Sequence, residues 1–183
     1  YYILIGVIFF LAGDATNSIV LNIVIIFILL LLSAFFSSAE TALTTSNKLR
    51  MRALAEEKNK AAMRVLKLLE NPSKMLSCIL ICNNVVNLSA SSISTSLAFS
   101  ICKQMGLENN TSLGAGIATG ILTFLILIFG EISPKTMATI NAEKMALAFS
   151  RSILLLTKLL TPVIFVIDKF VVFFLFILRV DTS

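Results

Sequence analysis

The run from Ile19 to about Thr45 has no charge until Glu40 and few polar side chains, and it decides what this chain can become. A helix rises about 1.5 Å per residue and needs on the order of 20 apolar residues to cross a bilayer. This run is long enough, and its companions make it the rule: the chain is 57% hydrophobic, with a mean hydropathy of +0.96 and only 14% charged residues. Such a composition is too apolar for a soluble domain of this size. The sequence therefore reads as an integral membrane domain, all α-helical.

The same composition removes several kinds of chemistry. There is no histidine, so Ser-His and Cys-His nucleophiles and the usual zinc site are absent, and the chain is not expected to be an enzyme. Cys78, Cys82 and Cys102 have no second ligand type near them and read as small apolar packing residues. The net charge of +5 is spread unevenly, without a basic patch interleaved with aromatics, so it points to membrane topology and not to nucleic acid.

Residues 46–74 carry Lys48, Arg50, Arg52, Lys58, Lys60, Arg64, Lys67 and Lys74, which makes this connection cytoplasmic by the positive-inside rule. Two short amphipathic helices are expected there, with Leu49, Arg52 and Ala53 on one and Met63, Leu66 and Leu69 on the other, closed by Asn71-Pro72 and lying along the inner membrane surface. Further spans are expected at about 75–102 and 113–140, joined by a weakly charged external loop with a glycosylation-like Asn109-Asn110-Thr111. Gly116 and Gly120 in the third span form a GxxxG that predicts close helix contact. Lys158, Pro162, Asp168 and Lys169 interrupt the apolar sequence after it, which suits kinked juxtamembrane helices over 141–180 better than a fourth span. The expected topology is three crossings in the plasma membrane, with the N-terminus outside and the C-terminus cytoplasmic. Residues 1–18 form an external segment, with 1–12 too short to span and consistent with truncation. Residues 181–183 would begin a linker to further domains.

Polar residues recur at membrane depth. Ser33, Ser37, Glu40, Thr41 and Thr44 share one face of the first helix, and Asn83, Asn87, Ser91 and Ser94 share one face of the second. Counted from the nearest basic residues, Ser37, Asn83 and Asn87 lie roughly 13 to 20 Å from the inner surface. Glu131, in ILIFGEISPK, can share that level. A charge there costs about 2.5 to 3.5 kcal/mol on insertion scales and asks for a partner, yet no basic residue obviously pairs with it. Interhelical hydrogen bonding accounts for many of the serines and threonines. Hard oxygens converging with a carboxylate also suit Mg²⁺, Ca²⁺ or Na⁺. Pro134 cannot donate to the Gly130 carbonyl, so the helix either opens there to offer that oxygen to a cation or simply ends.

FFSSAET at 35–41, CNNVVN at 82–87 and FGEISPK at 129–135, in this order with a basic linker after the first, resemble the transmembrane domain of the CorC/CorB/CNNM magnesium transporters. The resemblance implies a homodimer of three-span protomers with a juxtamembrane helix belt, exporting Mg²⁺ with Na⁺ exchange in some members, and continuing into a cytosolic CBS-pair domain. Carried over residue by residue, the implied ion ligands are Ser37, Asn83, Asn87, the Gly130 backbone and Glu131. Ser38, Glu40 and Asn84 adjoin them as further candidate oxygens. The alternative function is a membrane anchor and dimerisation scaffold that senses Mg²⁺ without moving it.

Overall fold

The computed structural model describes residues 17–104 and 111–177, and these are helical almost throughout. The elements are α1 (Asn17–Thr45), α2 (Lys48–Glu56), α3 (Lys60–Leu69), α4 (Pro72–Gln104) and α5 (Thr111–Ile126). A π-helical segment (Leu127–Ile132) then leads into α6 (Ser133–Ile140), α7 (Ala142–Leu159) and α8 (Thr161–Ile177). Three helices are long and apolar enough to cross a membrane: Ile19–Thr45, Pro72–Lys103 and Gly114–Ile140. Ala142–Leu159 and Thr161–Ile167 form a pair bent by 63°, the kink expected from the interrupted sequence. Pro162 takes the second position of α8, where its missing N–H leaves no helical bond unmade. The expectations for residues 1–12, for Asn109-Asn110 and for 181–183 lie outside the described residues.

The described residues form two compact units, one from 17–37 and 83–136 and the other from 38–82 and 137–177. The first buries small and polar side chains, among them Ser33, Ser37, Asn83, Ala90, Ser94, Ala98, Cys102 and Ala115. Large apolar residues such as Ile23, Phe27, Leu31, Leu88, Ile121 and Phe124 face outward. This inversion follows from the solvent. Lipid tails are as apolar as leucine, so helices associate through close approach of small residues and polar contacts and not by hiding leucines. Within the chain, Cβ atoms added at Gly116 or Gly120 would meet nothing within 4 Å, whereas one at Gly114 would lie 2.9 Å from the Cys102 Sγ. Gly114 is what lets the start of α5 approach the end of α4.

In the second unit α3 packs on both α2 and α7. Asn47 and Asn59 cap α2 and α3, each accepting two backbone N–H bonds through Oδ1. Such caps hold short helices that propensity alone would leave marginal. Two polar ties join α7 to them, the Arg50–Glu143 ion pair at 2.9 Å and the Arg64 Nε donating to the Ser150 Oγ at 3.3 Å. The buried faces differ from those read from the sequence. Met51 of α2 and Ala62, Val65 and Leu68 of α3 are interior, while Leu49 is 73% and Met63 45% exposed. The sequence reading chose the larger apolar residues, but the close approach of α3 to α7 admits the row containing Ala62. α3 ends at Leu69, just before Asn71-Pro72 as expected, and Pro72 also takes the first position of α4. The three cysteines are free thiols, two buried and Cys82 half-buried.

The register of α3 gives a direct contrast. Leu68→Ala should cost about 2 to 5 kcal/mol of stability, whereas Met63→Ala should stay within about 0.5 kcal/mol. Thermal unfolding of the purified protein in detergent measures both.

Candidate cation site

The site lies in the first unit and begins with the FGEISP sequence. Pro134 has no N–H to give to the Gly130 carbonyl, so a regular α-turn cannot close there. The chain does not open into a loop; it widens into the π-helical segment, in which the Ser133 N–H reaches five residues back to the Ile128 carbonyl. The helix is continuous in direction but its backbone bonding is displaced.

Gly130 is buried at the point of closest approach to α1. A Cβ there would lie 3.0 Å from the Ser33 Oγ, 3.3 Å from its Cβ and 3.4 Å from the Leu30 Cδ1. The absence of a side chain at 130 therefore brings the Ser33 hydroxyl against the π segment. From that position the Ser33 Oγ donates to the Asn87 Oδ1 at 2.8 Å and lies 3.3 Å from the Gly130 carbonyl oxygen and 3.5 Å from the Asn83 Oδ1. Asn83 and Asn87 come to it from successive turns of α4. Ser33 is 1% exposed and Asn83 8%. Three acceptor oxygens thus surround a hydroxyl that owns a single proton. One can be satisfied at a time, and the others face a lone pair in a medium where poor pairing is expensive.

Of the five expected ligands, Asn83, Asn87 and Gly130 converge directly. Ser37 lies one turn from Ser33 on the same face of α1, fully buried, with an Oγ that has no hydrogen-bond partner. Glu131 is placed otherwise than expected: its carboxylate is one-third exposed and forms an ion pair with the Lys135 Nζ at 3.2 Å. The i, i+4 spacing lets the lysine fold back along the helix. Among the neighbouring candidates, Asn84 is exposed, Ser38 is buried, and Glu40 is half-buried with interactions of its own. The residue not chosen from the sequence is Ser33. Its signal was present, since it opens the polar stripe four residues before Ser37.

Among the described residues no three His, Cys, Asp or Glu side chains gather as a metal site. The arrangement is one of neutral oxygens with a carboxylate on the adjacent residue. This fold and this cluster define a multi-span α-helical membrane domain with hard oxygen donors between its spans. The family model described as the cyclin M transmembrane N-terminal domain matches residues 24–183, and the chain belongs to that family. It is 44% identical over 134 residues to a UPF0053 protein of Haemophilus influenzae, covering 73% of this chain and 30% of that protein. It is 37% identical over 132 residues to the UPF0053 inner membrane protein YfjD of Escherichia coli, covering 72% and 29%. A chloroplastic DUF21 domain-containing protein of Arabidopsis thaliana is 36% identical over 128 residues, covering 69% and 18%. The chain thus spans less than a third of the length of these three relatives.

The close approach at Gly130 is testable by stability alone. Gly130→Ala should destabilise by about 1 to 3 kcal/mol, because the methyl group overpacks against Ser33. Gly116→Ala, with open space and a better helix former, should be neutral or stabilising by up to about 1 kcal/mol. Thermal melts of the two proteins should therefore move in opposite directions or differ clearly in size.

Proposed function

We propose that this domain transports Mg²⁺ across the membrane through the cluster formed by Ser37, Asn83, Asn87, the Gly130 carbonyl and Glu131, with Ser33 as an additional oxygen. The observation that carries the reading is the excess of acceptors over protons around Ser33. A cation offers what the hydroxyl cannot, a positive centre that all the oxygens can face at once. The spacing is suitable: adjacent octahedral oxygens about 2.1 Å from Mg²⁺ lie about 3.0 Å from one another, and the Ser33 Oγ contacts run from 2.8 to 3.5 Å.

Mg²⁺ gives up water reluctantly, so neutral oxygens need a charge beside them. Glu131 supplies it. The Lys135 ammonium neutralises that carboxylate, and an arriving cation competes with the lysine for it. The widened backbone around Gly130 is a candidate hinge for alternating exposure of the site. The family resemblance supports efflux, exchange for Na⁺, a homodimer, a cytoplasmic C-terminus and a CBS-pair region in the full-length protein, and these complete the proposal.

The test is Mg²⁺ flux into or out of vesicles carrying the purified chain, followed with a trapped indicator. Asn83→Ala and Glu131→Ala, inserted to the parent's level, should each lower the initial rate by about 10-fold or more, corresponding to about 1.4 kcal/mol or more. Parent-like rates in both would remove the site. A parent that binds Mg²⁺ without moving it would favour the sensing-anchor alternative.

A further inference from the structure

The polar residues of the first unit do not stop at Ser33. Moving eleven residues along each contributing helix of the cluster, toward the N-terminal end of α1, leads from Ser33 to Asn22, from Asn83 to Ser94 and from Gly130 to Thr119. Eleven residues are about three helical turns and about 16 Å, so each new residue lies near the face of its predecessor. Ser94 is also only seven residues beyond Asn87, so it sits about 10 to 16 Å from the first cluster. By this count the three positions share a second polar level.

The hydroxyls at this level stand apart from others on the same helices. Ser89, Ser92, Thr95 and Ser100 of α4 each donate to the carbonyl four residues back, at 2.7 to 3.0 Å. That local bond is the ordinary way for a membrane helix to satisfy a hydroxyl. Ser94 is fully buried, and its Oγ makes no such bond. The Thr119 Oγ1 on α5 is likewise shielded from solvent and without a partner. Asn22, the third residue of the level, is 5% exposed. Two buried hydroxyls that forgo a local bond imply something else at that level that accepts them as donors or ligands.

We infer that Ser94 and Thr119, with Asn22 beside them, form a second oxygen station for the transported cation, three helical turns from the Ser33 cluster. The inference rests on the transport reading above. Its chemistry differs from that of the first cluster, because no carboxylate is included. Neutral hydroxyl and amide oxygens hold a cation weakly and can bond equally to water molecules that the cation retains. Conduction through several sites needs such a weak station, from which an ion can leave. The first cluster strips and selects the ion, and the second receives it partly hydrated.

The experiment compares equilibrium Mg²⁺ binding and vesicle flux for the parent, the double variant Ser94→Ala/Thr119→Val, and the hydroxyl-retaining variant Thr119→Ser. The double variant should bind Mg²⁺ within about twofold of the parent and have an unchanged or higher thermal midpoint, because a buried unsatisfied hydroxyl is removed. Its initial flux should fall at least about fivefold, about 1 kcal/mol in barrier terms, while Thr119→Ser keeps the parent's rate. Parent-like flux in the double variant would overturn the station while leaving the transport reading intact. Loss of binding together with flux would overturn it too, since the two residues would then act through the first cluster. A parent that moves no Mg²⁺ would overturn the transport reading and the station with it.

Discussion

The site depends on one contact, the approach of the Ser33 hydroxyl to a backbone that lacks both a side chain and a regular hydrogen bond. Gly130 admits the serine, and Pro134 removes the N–H that would otherwise have closed on the Gly130 carbonyl. Either change alone would be an ordinary feature of a membrane helix. Together they turn a helix crossing into a place where three acceptors share one proton. The arrangement is tolerable because the π turn keeps the helix continuous and distributes the disturbance over Leu127–Ile132.

The rest of the first unit serves that contact. Much of its interior is serine, alanine, asparagine and cysteine, with Phe36, Val86, Ile93 and Leu97 among them, while most of its large apolar residues, such as Phe27, Leu31 and Phe124, face outward. A soluble protein would be inside out with this pattern, whereas in lipid the small residues allow the helices to approach until polar groups meet. The second unit follows more familiar rules. Asparagine caps start its short helices, and Val65, Leu68 and Ile153 are fully or nearly fully buried.

Much of the architecture was legible in the sequence because apolar length has few interpretations. The three long helices, the basic helical connection and the bend after Leu159 all follow from where charge and proline interrupt the hydrophobic runs. Convergence of Asn83 and Asn87 was readable from helical spacing and depth together, whereas Gly130 was marked only by the proline four residues on and by the family resemblance. Other features depended on geometry that one-dimensional spacing does not carry. Which glycine is crowded depends on the neighbouring helix, so Gly116-Gly120 drew notice and Gly114 did not. The interior row of α3 was set by a close approach that favours Ala62 over Met63. Glu131 found its counter-charge only four residues away, because a lysine side chain is long enough to fold back along its own helix.

The central claim is that the oxygens around Ser33 bind a cation where the serine's single proton now serves. Anomalous diffraction from crystals of the protein grown with Mn²⁺, which accepts the same hard oxygen ligands as Mg²⁺, measures this most directly. The account predicts an anomalous peak at coordination distance from the Asn83 and Asn87 side-chain oxygens and the Gly130 carbonyl, with the Ser33-to-Asn87 hydrogen bond broken. A cluster with no peak, Mn²⁺ bound only elsewhere, and the Ser33 hydrogen bond intact would contradict it.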